Sequence, residues 1–137
     1  MDGRGVAAVL VLGAAGAALG TRFLLAREAA TPSASRTALL AATELDTVVS
    51  NRWTGRQARG LRSRVVEALE QAGVEALPWP FQRVAAADLY AGATAQGDAG
   101  LYPVLAGQGL RLLTDGEGAA EIVEELVAQA RERLSSF

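Results

Sequence analysis

Two glycine-bearing pairs are the places where this chain's backbone could do chemistry. Gly20-Thr21 closes the short apolar run Ala17-Ala18-Leu19-Gly20. A ligand can approach the main chain at Gly20 because no Cβ stands in the way. If the run is a strand, a Gly-Thr end at the mouth of a parallel α/β fold makes a seat for a phosphate, whereas most isolated Gly-Thr pairs are ordinary turns. The second pair is Gly107-Gln108, followed by Gly109. There a Gln amide either points into a site or stands exposed on a turn. The chain has no His and no Cys, so it holds no imidazole base, no thiol nucleophile and no disulfide framework. Any activity that rests on His cannot be carried by these residues. The 13 basic residues are all Arg, and the net charge is −2. That balance argues against a general nucleic-acid binder.

The elements that would position these pairs can be read from periodicity and punctuation. The 137 residues, 50% of them hydrophobic, amount to one domain's worth of globular chain. Asp2-Gly3 opens a helix over Arg4–Ala15, with Val6, Val9, Leu10 and Gly13 on one face and Gly16 as its stop. Ala17–Gly20 then reads as a strand covered on both faces. A membrane anchor or secretory signal competes for the same stretch. Its uncharged run, Val6–Thr21, is sixteen residues and rich in Ala and Gly, whereas a spanning helix needs ~20 apolar residues. The α/β reading is therefore preferred, with an anchored or secreted small helical structural protein as the alternative.

Further along, Arg27–Arg36 reads as a linker, and a helix follows to about Val49 through Leu39, Ala42 and Leu45. Arg52–Arg64 holds five Arg in thirteen residues. It reads as a solvated loop and helix start facing acidic neighbours in preference to an anion patch. Leu61–Ala72 is amphipathic and stops at Gly73. Leu77-Pro78-Trp79-Pro80-Phe81 is a rigid extended segment, a hydrophobic clasp more than a ligand wall, and Phe81–Ala91 a short helix. Tyr102–Gly109 forms either a hairpin or a helix ending in a glycine-lined loop. The last helix spans about Ala119–Leu134, its apolar stripe built from Val123, Leu126, Val127, Ala130 and Leu134, with acidic residues early and Arg131 and Arg133 late.

Four segments, in order, resemble the C-terminal part of the nitronate monooxygenase (2-nitropropane dioxygenase) family. They are DGRGVAAVLVLGAAGAALGTRFLLAREA, TGRQARGLRSR, LPWPFQ and LAGQG. The family's versions read Asp-Gly at a helix start, Gly-Thr-Arg/Ala-Phe-Leu at a strand end, Gly-Arg-Pro-Ala-Arg-Gly, Leu-Pro-Tyr-Pro and Trp-Ala-Gly-Gln. Gln57, Ser63 and Leu105 depart from a usual Pro, Asn and Trp, and the Leu105 change touches the substrate cavity. A related FMN barrel such as an enoyl-ACP reductase is a further candidate, but the TGRQARG and AGQG segments favour the nitronate family.

The resemblance implies an α/β fold: the C-terminal fragment of a TIM (β/α)8 barrel, with its last strand and flanking helices and a mostly helical inserted domain. Its divisions are 1–29 for the last helix–strand unit, 30–113 for the inserted, substrate-facing domain and 114–137 for the closing helix. A full barrel takes ~200–250 residues, so the first strands, most flavin contacts and the catalytic His are expected outside this chain, which supplies no catalytic residue and no metal ligand. The implied cofactor is FMN and the implied reaction the oxidation of alkyl nitronates by O2, in the cytoplasm. The implied partners are the nitronate, O2 and a missing N-terminal half, with no nucleic acid and no membrane. Gly20 and Thr21 match the cofactor's phosphate contacts, and Gly107 and Gln108 match the wall of the substrate cavity.

Overall fold

The computed structural model describes residues 2–136. Helix α1 spans Gly3–Val11 and is capped by Asp2, whose Oδ1 accepts the Gly5 N–H at 3.1 Å. It ends at Gly13, whose φ of +93° suits a residue without a Cβ. The expected extension to Ala15, and the stop at Gly16, are thus corrected. Ala14–Leu19 is irregular and is followed by a 3-10 turn over Thr21–Leu25. Ala17–Gly20 is not a strand here. A strand exists only through its ladder, and no neighbouring strand lies beside it among the described residues.

Helix α2 runs over Ser33–Ala41 and stops well short of Val49. Val49 belongs instead to β1, Thr47–Ser50, which pairs antiparallel with β2, Ala58–Leu61, in the register Thr47↔Leu61 and Ser50↔Ala58. The arginine-rich stretch therefore contains a strand, and Leu61 belongs to that strand. Helix α3 covers only Arg64–Gln71. The segment 104–106 lies against β2: Leu61 N–H donates to the Val104 carbonyl at 2.9 Å and Ala106 N–H to that of Arg59 at 3.1 Å. Gly60 makes this approach possible, since a Cβ there would sit 2.8 Å from the Val104 carbonyl oxygen. Neither a hairpin at Gly107–Gly109 nor a preceding helix forms.

Two short helices, α4 (Phe81–Ala85) and α5 (Ala87–Ala95), replace the single one expected. Helix α6 spans Ala119–Leu134, as read from sequence. Its buried line is Ile122, Leu126 and Ala130; Val123, Val127 and Leu134 lie on more open surface.

Two apolar clusters hold the chain together. Leu25, Leu39, Leu61, Ala93, Tyr102, Val104, Ala106 and Leu110 form one. Ala26, Ile122 and Leu126, with Val6, Leu19 and Phe23 packed around them, form the other. The 21–25 turn sits where they meet, sending Leu25 into the first cluster and leading into Ala26 in the second. Within the first half of the chain, Trp53 is fully buried and donates through Nε1 to Ser63 Oγ at 3.1 Å. The neighbouring arginines are mostly engaged: Arg59 with Thr47, Arg52 with Glu70, Arg64 with Asp98, and Arg56 stacked 5.0 Å over the Trp79 ring. Leu77, Trp79 and Phe81 are exposed, so the proline segment is no hydrophobic clasp. It is fastened by backbone: Gly55 packs beneath Leu77–Trp79, and the Gln82 amide bridges the Leu77 N–H and the Arg52 carbonyl.

Candidate functional site

The chain brings its two glycine-bearing pairs to one cleft. Ala18–Arg22 forms one side, and Gly107–Gly109 with Leu112 the other, around a volume of about 320 Å³. The two sides are tied directly, since Thr21 Oγ1 accepts the Gly107 N–H at 2.9 Å. Gly20, Thr21, Gly107 and Gln108 all line the cleft, although 86 residues separate Thr21 from Gly107. The Gln108 side chain is exposed. The irregular run leading into Gly20, and the 3-10 turn after it, put the Gly20 amide at the rim. A Cβ built on Gly20 would meet nothing within 4 Å, so its backbone is open to an approaching group.

Arg22 was legible in the sequence only as the charge that ends the apolar run. In the fold it is 4% exposed. Its Nη2 donates to Glu117 Oε2 at 2.7 Å and to Glu125 Oε2 at 3.0 Å. Burial works against the Arg22 charge, but the two carboxylates outweigh it and raise its pKa above the ordinary arginine value. Glu117 is held below the usual carboxylate range, first by the hydroxyl of Thr114 and then by Arg22. Arg22 Nη1 is buried with no acceptor among the described residues; such an orphan costs about 1–3 kcal/mol. On the far side of the turn, Arg36 donates to the carbonyls of Leu25 and Ala26 and pairs with Asp115. The only sequence signal for either arginine was its place beside an apolar run, which surface arginines share.

A mononucleotide cofactor can be tested against this cleft. The open backbone at Gly20 suits an anionic head group, while the Gly107 amide is already given to Thr21 Oγ1. The volume falls at the small end of ligand pockets, which run about 300–1,000 Å³. The residues present thus fit a phosphate-sized anionic group. No group of three or more acidic residues able to hold a metal ion occurs among the described residues. None of their helices is long and apolar enough to cross a membrane; α1, in the stretch read as a possible anchor, has nine residues.

Comparison with known proteins decides the family. The sequence profile described as nitronate monooxygenase matches residues 1–129. The chain belongs to the nitronate monooxygenase family. A probable nitronate monooxygenase of Bacillus subtilis (strain 168) is 32% identical over 126 residues, covering 92% of this chain and 36% of its own length. Among solved structures, nitroalkane oxidase from Streptomyces ansochromogenes superposes with a TM-score of 0.90 at 32% identity, over 99% of this chain and 38% of that one. A mutant of FabK from Thermotoga maritima matches at 0.69 and 27% identity, over 98% and 40%. This nitronate monooxygenase family member thus spans well under half the length of the relatives it matches.

Proposed function

We propose that this chain is the C-terminal portion of an FMN-dependent oxidoreductase that oxidises alkyl nitronates with O2. One observation carries the reading: the two segments matched to the family's phosphate and cavity positions meet at a single cleft, joined by the Thr21–Gly107 hydrogen bond. The higher superposition on nitroalkane oxidase than on FabK favours nitronate chemistry within this fold.

In this reading the chain supplies the end of a TIM barrel: α1 and the irregular Ala17–Gly20 segment, which has no partner strand among the described residues, stand at its last helix–strand unit, and α6 closes it. Residues 30–113 make the inserted, substrate-facing part. The meeting of the two apolar clusters at the 21–25 turn supports that division. The Gly20 and Thr21 N–H groups hold the FMN phosphate, while Gly107 and Gln108 form part of the cavity wall. Bound FMN supplies the redox chemistry, from the nitronate carbon onward to oxygen. The general base is a His, and with none in these 137 residues it comes from the preceding part of the barrel, together with most flavin contacts. The reading places the enzyme in the cytoplasm, with no membrane or nucleic-acid partner.

A two-step flavin titration tests this. The purified chain alone is expected to quench FMN fluorescence weakly or not at all, because in this reading the other barrel strands and most flavin contacts lie outside it. Fused behind the first two thirds of the Bacillus subtilis relative, it is expected to retain stoichiometric FMN and to consume O2 with an alkyl nitronate. Tight, stoichiometric FMN on the isolated chain would overturn the incomplete-barrel reading. A folded fusion without flavin would overturn the functional one.

A further inference from the structure

We propose that Arg22 is a positioning residue for the cleft: by anchoring the 21–25 turn on α6, its guanidinium sets how Gly20–Thr21 meets Gly107–Gln108. The inference rests on the reading that this cleft is the functional site.

Arg22 is the buried centre of a continuous polar chain. One of its nitrogens serves both Glu117 and Glu125, at 2.7 and 3.0 Å. Glu117 also accepts the Thr114 hydroxyl. Glu125 Oε1 accepts Gln129 Nε2 at 2.8 Å, and Gln129 Oε1 accepts the Gly3 N–H at the start of α1, also at 2.8 Å. The chain therefore links the turn to α6 and to α1. The opposite side of the same turn is held by Arg36 on the Leu25 and Ala26 carbonyls. The turn is thus held by side chains on both of its sides.

The residue just before Arg22 carries the consequence. Thr21 is its immediate neighbour in the chain, and Thr21 Oγ1 is the acceptor that holds the Gly107 N–H at 2.9 Å. A shift of the turn therefore reaches the Gly107–Gln108 side through this hydrogen bond, beside the packing of Leu25 with Ala106 and Leu110. Both bonds leave one planar nitrogen, Nη2, whose two N–H directions lie fixed in the guanidinium plane, whereas an ammonium rotates freely about its last bond. A lysine would keep an ion pair with α6 while losing the fixed angle. That difference separates positioning from mere stabilisation.

The test is amide hydrogen exchange, read residue by residue by NMR on the full chain, for the wild type, Arg22→Lys and Glu117→Gln/Glu125→Gln. In Arg22→Lys the Gly107 amide is expected to exchange at least tenfold faster. The Leu61 and Ala106 amides, bonded across the sheet to Val104 and Arg59, keep wild-type rates. The double Gln variant, which keeps Arg22 and removes the charge of its partners, is expected to speed Gly107 in the same selective way. An unchanged Gly107 rate in Arg22→Lys overturns the proposal. So does a uniform loss of protection across Gly107, Leu61 and Ala106 in both variants, which marks a purely structural role. No flavin enters the measurement, so its outcome is separate from that of the flavin titration.

Discussion

A methyl group at Gly3 would meet Gln129 Cβ at 2.3 Å and the Leu126 carbonyl oxygen at 2.6 Å. Neither is the loose end of a flexible chain, so α1 and α6 pack as closely as they do only because position 3 has no side chain. Gly3→Ala is therefore expected to destabilise the fold by about 1–3 kcal/mol, as overpacking does. Urea unfolding followed by circular dichroism checks this. Gly16 is the internal control. A Cβ there meets nothing within 4 Å and its φ is not in the left-handed region, so Gly16→Ala should leave stability within about 0.5 kcal/mol or raise it slightly. Thr21 poses the same kind of local question for the cleft. Thr21→Val keeps the shape but leaves the Gly107 N–H without its acceptor, a loss of about 1–2 kcal/mol. Thr21→Ser keeps the hydroxyl and should recover most of it in the same urea experiment. Arg22→Met should cost more, about 2–3 kcal/mol. That is below the ~3–5 kcal/mol of a fully buried broken ion pair, because Glu117 and Glu125 remain partly open to solvent.

At the scale of elements, α6 and the loop before it are held by carboxylates facing arginines from the first third of the chain. Asp115 faces Arg36, Glu117 faces Arg22 and Glu121 faces Arg27. All three carboxylates are held below their ordinary values: Asp115 by Arg36, Glu117 by Thr114 and then Arg22, Glu121 by Arg27. A folded-state pKa below the unfolded one means the stabilisation is present above the unfolded value and disappears as pH falls through the folded one. The thermal midpoint is therefore expected to hold from pH 7 to 5 and to fall steadily as the pH drops below about 4.5, the ordinary glutamate value. Melts recorded by circular dichroism at half-unit steps from pH 6 to 3 would show it; a midpoint that rises on acidification would contradict it. The same helix shows what the sequence could tell. The charge gradient marked its ends correctly, and Leu126 and Ala130 its buried line. Ile122, fully buried, lies outside the stripe that periodicity picks out, while Val123 and Val127 are 49% and 42% exposed. Periodicity finds an apolar face but cannot say which edge of it a neighbour covers. The β1–β2 pair left no readable pattern, because its buried ends are Thr47 and Ser50 while Val49 points outward. β2 is also bonded to 104–106, more than 40 positions away in the chain, a contact no local pattern records. The cleft was legible as two separate glycine pairs; that they meet was not, since Thr21 and Gly107 are joined only by the fold.

For the whole molecule, the balance of covered and uncovered apolar surface makes a further prediction. Val11 and Leu12 are 68% and 86% exposed. With Ala7, Ala8 and Leu134 they border a groove of about 970 Å³ between the end of α1 and the end of α6, flanked by Arg4 and Arg133. Scattered surface leucines are ordinary, but a contiguous apolar patch on a chain of this size favours association. α1 contributes it because the helix stops at Gly13 and leaves its last turn without a covering element among the described residues. The chain alone is therefore expected to sediment with a concentration-dependent coefficient. Leu12→Glu should remove that dependence, since a carboxylate in the groove resists desolvation. It should leave the melting temperature unchanged, because Leu12 contributes to neither buried cluster. Analytical ultracentrifugation of both proteins over a tenfold or wider concentration range decides the matter. A wild-type coefficient that stays flat would mean that the groove is innocuous in isolation, and a Leu12→Glu protein that melts earlier would mean that the helix end packs more tightly than its exposure implies.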